Sequence, residues 1–204
     1  MLNVENLTKS FGGVVATSDV SINFAAGSLS AVIGPNGAGK TTFFNLISGG
    51  LQPDSGRILL DGEDIVGLPS SEIVRKGIGR AFQVAKLFKS LTVEESLRGA
   101  LQSPLGRSLQ MRGRFPTEDT RDRAHEVMEQ LGLQDKADIV SGNLSHGDQK
   151  LLDIALALVL KPKVLLLDEP VAGMGPEERW QMIDTVYALD RKSTRLNSSH
   201  VALS

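Results

Sequence analysis

Cysteine is absent from the 204 residues, which excludes disulfides, thiolate metal sites and a catalytic thiol and fits a reducing compartment. Aromatic residues make up only 4%, so the core must be filled by Leu, Ile, Val and Ala. A membrane-spanning helix needs roughly 20 consecutive apolar residues; the longest run here, Leu151–Leu160, is far shorter and is interrupted by Asp153. At the N-terminus, Met1-Leu2-Asn3-Val4-Glu5-Asn6 carries no basic segment leading into an apolar one, so no secretory signal is expected. Charge of one sign is also lacking. The net charge of −2 gives no electrostatic ground for a nucleic-acid partner. What is left, 41% hydrophobic and 23% charged residues, is the composition of a globular chain long enough for one large domain or two small ones.

Glycine, by contrast, is concentrated where it matters. Gly34-Pro35-Asn36-Gly37-Ala38-Gly39-Lys40-Thr41 satisfies G-x-x-x-x-G-K-[ST] at every defined position. Without Cβ atoms, the glycines let the backbone turn several N–H groups toward one anion. Lys40 supplies a point charge for β- and γ-phosphates, and Thr41 offers a hydroxyl to Mg²⁺. An apolar strand candidate, Leu29–Ile33, precedes the loop. After it, Thr42–Ile47 places apolar residues at helical spacing, with Thr42 joining the phosphate-binding set. Strand, glycine loop and helix N-terminus together make an anion site. The chain is expected to bind a nucleoside triphosphate.

Elsewhere the punctuation is that of an α/β chain. Residues 2–33 read as strands, with Val20, Ile22 and Phe24 alternating and Gly12-Gly13 marking a turn. Phe11, beside that turn, suits a core or turn position and equally a ring that stacks on a purine. Arg57–Leu60 is a strand, Pro69–Lys76 a short helix stopped by Gly77, and Ile78–Phe82 a strand leading into Gln83. From about 84 to 160 the pattern turns helical. Thr92-Val93-Glu94-Glu95 is a capping box, 103–116 a Gly/Pro/Ser/Arg-rich loop, and Ala124, Val127, Met128 and Leu131 one apolar helix face. Arg107, Arg112, Arg114, Arg121 and Arg123 read as solvated surface, offset by Glu118, Asp119 and Asp122.

Two further stretches carry chemistry. Ser145 caps a buried helix over Lys150–Leu160, with Asp148 three residues on. Ser145 and Gly147 there could be a simple cap or a second phosphate site. Lys163–Leu167 reads as a strand buried on both faces, closed by Asp168 and Glu169. Acidic residues at such a strand end lie where open α/β sheets bind ligands. Beside a P-loop, Asp168 is placed to hold Mg²⁺ and Glu169 to polarise an attacking water.

In order and spacing these motifs resemble the nucleotide-binding subunits of ABC transporters from about residue 2 to residue 190. Leu144-Ser145-His146-Gly147-Asp148 is similar to their signature motif, Gln83 to the Q-loop, Phe11 to the adenine-stacking aromatic and Ala172-Gly173-Met174 to the D-loop. His146, the Arg80-Ala81-Phe82-Gln83 run, the 103–116 insert and Val171–Met174 resemble more narrowly the subunits that power branched-chain amino acid uptake; urea and short-chain amide importers share much of this pattern. The resemblance implies a P-loop α/β fold with a mainly parallel sheet, an N-terminal antiparallel β subdomain and a helical insert. It implies a peripheral ATP hydrolase on the cytoplasmic face of the membrane, using ATP and Mg²⁺. Two cassettes would pair head to tail and act on transmembrane permeases and, through them, on an extracytoplasmic substrate-binding protein. Thr41, Gln83 and Asp168 would serve Mg²⁺, Glu169 the water, with Gln83 and Lys40 assisting catalysis. Ser145 and Gly147 would complete the partner's site. Asp148 replaces the usual Gln or Glu, and so short a carboxylate is expected to loosen the cap.

Other readings of the same motifs are ABC ATPases that remodel DNA or ribosomes and nucleotide-binding regulators. No sustained heptads separate the P-loop from the signature, which argues against the chromosome type. Beyond Asp190 the periodicity stops. Residues 191–204 read as a non-native tail after a domain of 1–190, so His200 is not taken for the family's switch histidine and no core strand is expected there.

Overall fold

The computed structural model describes residues 1–81, 88–102, 118–196 and 200–203. Strand β1 (Leu2–Phe11) buries Leu2 and Val4 on one face. Asn6, in left-handed backbone at φ 50°, then shifts the register. The extra step returns Leu7 to the buried face despite its odd spacing. There follow β2 (Val14–Phe24), β3 (Leu29–Ala31), α1 (Lys40–Ile47), β4 (Ser55–Leu60), β5 (Glu63–Asp64), α2 (Ser70–Lys76) and β6 (Ile78–Ala81). Helices α3 (Val93–Gln102), α4 (Glu118–Leu131) and α5 (His146–Leu158) come next, then β7 (Val164–Leu167), α6 (Pro176–Leu196) and β8 (His200–Leu203).

The strands form two sheets. One is antiparallel in the order β2-β1-β4-β5; the other runs β3-β8-β7-β6, with β8 parallel to both β3 and β7. The expected P-loop α/β architecture is thus present. Two expectations need correction. Strand β3 ends at Ala31 rather than Ile33, and Ile33 is 91% exposed. The backbone beyond Asp190 is also not structureless: α6 continues to Leu196, and His200–Leu203 inserts between β3 and β7. The β8 backbone pairs in parallel with β7, which is buried throughout, and with β3, which is partly exposed.

By contacts the chain divides into two compact units. One comprises residues 1–80, 162–168 and the described residues from Asp190 onward; the other comprises 81–161 and 169–189. In the first, Phe43, Phe44, Leu46 and Ile47 of α1 pack with Leu2, Ile58, Ile73 and Leu166. The two rings meet edge to face at 6.3 Å. Helix α2 stops at Gly77, whose φ of 112° suits glycine and whose carbonyl accepts from Lys163 and Val164 N–H at 2.7 and 3.0 Å.

Asp61 accepts from Lys163 Nζ at 2.6 Å and from the Met1 ammonium at 2.5 Å. These bonds hold its carboxyl at about 2, below the ordinary 3.8, with Lys163 the larger cause. A depressed carboxyl adds stability above its unfolded value and loses it as pH falls through the folded one. Asp61 is 44% exposed, so screening keeps the effect below about 1 kcal/mol. In urea titrations Asp61→Asn should unfold slightly earlier than the parent at pH 7, the gap closing between about pH 4 and pH 2. A gap that persists at the acid end would show that the charge is not its origin.

The second unit is helical. Thr92 and Glu95 form the expected capping box reciprocally: Thr92 N–H donates to Glu95 Oε2 at 2.9 Å and Glu95 N–H to Thr92 Oγ1 at 3.2 Å. Ala124, Val127, Met128 and Leu131 are buried as their spacing requires. Arg123 departs from the solvated reading. Its guanidinium donates to the Leu158 and Val159 carbonyls at 2.9 and 3.2 Å, satisfying the C-terminal end of α5. Arg107, Arg112 and Arg114, with the rest of the 103–116 insert, lie outside the described residues.

Candidate functional site

In the first unit the phosphate-loop sequence folds as its glycines demand. Gly37 and Gly39 take φ of 83° and 85°. At Gly39 the requirement is absolute: a Cβ would stand 2.0 Å from the Ala16 carbonyl oxygen of β2. The hairpin strand therefore passes directly against the end of the loop. Gly34, Pro35, Asn36 and Ala38 complete the turn, with Ala38 N–H donating to the Pro35 carbonyl at 3.1 Å. Lys40 opens α1, and its Nζ donates to the Gly34 and Pro35 carbonyls at 2.8 and 3.2 Å. Thr41 is exposed and Thr42 half-buried. The loop, its lysine and a helix N-terminus thus lie together, the elements from which anion sites are built.

Phe11 resolves toward the surface. It is 47% exposed, with Lys9 Nζ 5.6 Å from its ring centroid. Lys9 in turn bonds Asp54 Oδ1 at 2.7 Å, and Ser10 N–H donates to Asp54 Oδ2 at 2.7 Å. The Lys9 hydrogen bond, then that of Ser10, holds the Asp54 carboxyl below its ordinary range. The ring is thus braced at the hairpin turn with area left for a ligand.

Asp168 directly follows β7, with its side chain only 3% exposed. Arg80 Nη2 donates to its Oδ2 at 2.9 Å, while Arg80 Nη1 reaches Asn45 Oδ1 in α1 at 2.7 Å and Ser48 Oγ, at the C-cap of that helix, at 2.8 Å. One guanidinium therefore ties the helix behind the loop to the carboxylate. The sequence reading missed this, although an arginine between Gly79 and Ala81 in a buried strand signals a need for an acidic partner. Arg80→Met should lower unfolding stability by about 3–5 kcal/mol in urea titrations, because a buried carboxylate loses its facing cation. Arg80→Lys should recover only part, lacking the fork. A loss under about 1 kcal/mol would show that water relieves Asp168 instead.

In the second unit Glu169 stands in left-handed backbone, φ 48°, and is half-buried. Its carbonyl accepts from Ala172 N–H at 3.1 Å, closing a turn that leads to Gly173. Ser145 caps α5, its Oγ accepting from Asp148 N–H at 3.1 Å. The expected loosening does not occur, because Asp148 Oδ2 also accepts from Ser145 Oγ at 2.7 Å. Gly147 approaches Glu178, and a Cβ on Gly173 would lie 3.3 Å from His146 Nε2. Ser145, Gly147, Asp148, Met174, Glu178 and Gln181 line part of a cleft of about 550 Å³. Gln83 lies outside the described residues.

A glycine loop at a helix start, with an acidic pair closing a buried strand, defines a P-loop ATPase. Residues 17–172 match the ABC transporter family, and the chain belongs to the ATP-binding proteins of that family, which bind ATP or ADP and hydrolyse ATP. It is 40% identical over 185 residues to the high-affinity branched-chain amino acid transport ATP-binding protein BraF of Pseudomonas aeruginosa, covering 87% of this chain and 72% of that protein. Against LivG of Escherichia coli, of the same description, identity is 38% over 196 residues, covering 93% and 76%. The lipopolysaccharide export system ATP-binding protein LptB of Escherichia coli is 38% identical over 175 residues, covering 86% and 69%. Among solved structures, the ADP conformation of MJ1267, an ATP-binding cassette of an ABC transporter, superposes with a TM-score of 0.84 at 33% identity, covering all of this chain and 80% of that one. Dimeric MJ0796, a bacterial ABC transporter cassette, gives 0.81 at 26% identity, covering 100% and 88%. Cassettes of this family dimerise and work with permease subunits. Among the described residues no helix is long and apolar enough to cross a membrane.

Proposed function

We propose that the chain is the ATP-hydrolysing subunit of an importer for branched-chain amino acids, bound peripherally at the cytoplasmic face of the membrane. It pairs with a second cassette and drives transmembrane permeases served by an extracytoplasmic substrate-binding protein. The observation that carries this reading is similarity to BraF and LivG over about nine-tenths of the chain. The motif residues between 144 and 174 that resemble that uptake type add to it.

In this reading Lys40 and the loop N–H groups between Asn36 and Thr42 hold the β- and γ-phosphates, and Phe11 stacks on adenine. Lys40 already sits on loop carbonyls; an incoming phosphate offers it a stronger, charged acceptor. Thr41 and Asp168, with Gln83, would hold Mg²⁺, whose preference for a few hard oxygens plus substrate phosphates suits this donor set. Among the described residues no group of three acidic, histidine or cysteine ligands exists, and that chemistry needs none. Bound there, Mg²⁺ would neutralise phosphate charge. Glu169 orients the water, and Ser145 and Gly147 face the nucleotide held by the partner cassette. ATP then closes the pair and hydrolysis reopens it.

Uptake of labelled leucine, valine and urea by cells lacking the gene tests the substrate. Loss of leucine and valine uptake with urea uptake intact is the expected result. The reverse pattern would assign the chain to an amide importer, and intact uptake of all three to a system of another kind, such as the export that LptB's name describes.

A further inference from the structure

At the start of α5, Ser145 is not a bare cap. Its Oγ accepts from Asp148 N–H at 3.1 Å, and the same oxygen lies 2.7 Å from Asp148 Oδ2. An ionised carboxylate only accepts, so the serine hydrogen is the one donated. Asp148 Oδ1 is taken by Lys136 Nζ, from the short turn Gln134–Lys136 that follows α4. Asp148 is 16% exposed and Lys136 34%, so the pair is sheltered yet faces the cleft that Ser145 and Gly147 also line. Across it stands a second carboxylate, Glu178, which accepts from Gly175 N–H at 3.1 Å. A Cβ built on Gly147 would lie 3.6 Å from its Oε1.

We propose that Asp148 and Lys136 form a positioning pair that holds the signature serine's hydroxyl hydrogen in reserve and releases it to the γ-phosphate of the partner's nucleotide. The inference rests on the proposed role of Ser145. A hydroxyl has one hydrogen. While Asp148 holds it, Ser145 cannot donate to a phosphate, so ATP must displace an internal anion to engage the signature. Lys136 makes that displacement possible. Its charge weakens the carboxylate's grip on the serine and cancels a negative charge that, with Glu178, would repel the phosphate. Asp148 therefore sets the ATP concentration at which the pair of cassettes closes, and Lys136 acts only through Asp148.

The test is a double-mutant cycle on the full chain, reading KM for ATP and kcat in steady-state hydrolysis, with melting curves on each variant. Asp148→Asn removes the charged competitor and should lower KM about threefold, a charged acceptor holding a hydrogen roughly twice as strongly as a neutral one. Lys136→Met leaves the carboxylate uncompensated and should raise KM about tenfold, more than it lowers kcat. In the double variant KM should return to within about twofold of Asp148→Asn alone, since contacting residues are coupled rather than additive. Additive changes, or KM values unchanged in both single variants, would overturn the pair. A fall in stability shared by both variants with no movement of KM would make it a structural cap. Ser145→Ala separates the two levels. If it slows turnover and abolishes the KM response to Asp148→Asn, both readings stand. If it slows turnover but the response survives, only the positioning pair falls. If it leaves hydrolysis at the parent rate, the role of Ser145 itself falls, and the pair with it.

Discussion

Glu169→Gln is expected to bind ATP within about threefold of the parent affinity while hydrolysing it at least a hundredfold more slowly. The physical ground is that the amide keeps shape and hydrogen-bonding reach but cannot attract a proton from the attacking water. Phosphoryl transfer depends on positioning and electrostatics, so loss of that charge falls on the chemical step alone. The backbone adds a second readout. Glu169 has φ 48°, a conformation that disfavours any residue with a Cβ by about 1–2 kcal/mol. Strain of this kind is retained where surrounding structure needs it, often at reactive sites. Glu169→Gly should be as inactive as Glu169→Gln yet unfold about 1 kcal/mol later, because glycine relaxes there. Single-turnover hydrolysis and urea titration of the two variants decide the matter. Hydrolysis by Glu169→Gln at the parent rate would remove the residue from its role.

Gly39→Ala is expected to abolish useful nucleotide binding, about a hundredfold loss by titration with a fluorescent ATP analogue. Two effects combine. Alanine dislikes the φ of 85°, and its methyl would press on the Ala16 carbonyl at 2.0 Å. Backbone must move, since no flexible side chain stands in the way. A shift of about 1 Å suffices to cost two orders of magnitude where several groups must meet one ligand. The same clash should lower stability by about 2–4 kcal/mol. Gly13→Ala, where a Cβ meets nothing within 4 Å, is the control and should stay within about 0.5 kcal/mol of the parent. Parent-like ATP binding by Gly39→Ala would mean that the loop does not cradle the phosphates.

Local grammar was readable in advance; long-range pairing was not. The turn glycines, the Thr92–Glu95 box and the Ser145 cap depend on residues within a few positions of each other, and each forms as its spacing requires. The buried strand β7 announced itself through four apolar residues in a row, all buried. Arg80 did not, because Asp168, Asn45 and Ser48 meet it only after distant segments fold together. Arg123 went unread for the same reason: a cluster of arginines suggests solvent until a helix end is brought beside one of them. Strand β8 was obscured differently. Composition averaged over 191–204 is polar, yet four residues suffice to fill a slot between two existing strands. Lys136 carries no local sign that it answers Asp148.

That slot has a bearing on how the molecule assembles. Among the described residues strand β3 neighbours β8 alone in its sheet, pairing Leu29 with Val201 and Ala31 with Leu203. The segments that meet there are among the first and last described along the chain. Contacts so remote in sequence close late, since most of the chain's entropy is surrendered before they repay it. The β1–β2 hairpin and the helices of the second unit, built from neighbours, are free to form first. The strand that feeds the phosphate loop is thus expected to gain this sheet partner late in folding. ATP is then expected to slow unfolding of the finished protein while leaving its refolding rate unchanged, which stopped-flow unfolding and refolding with and without nucleotide would check.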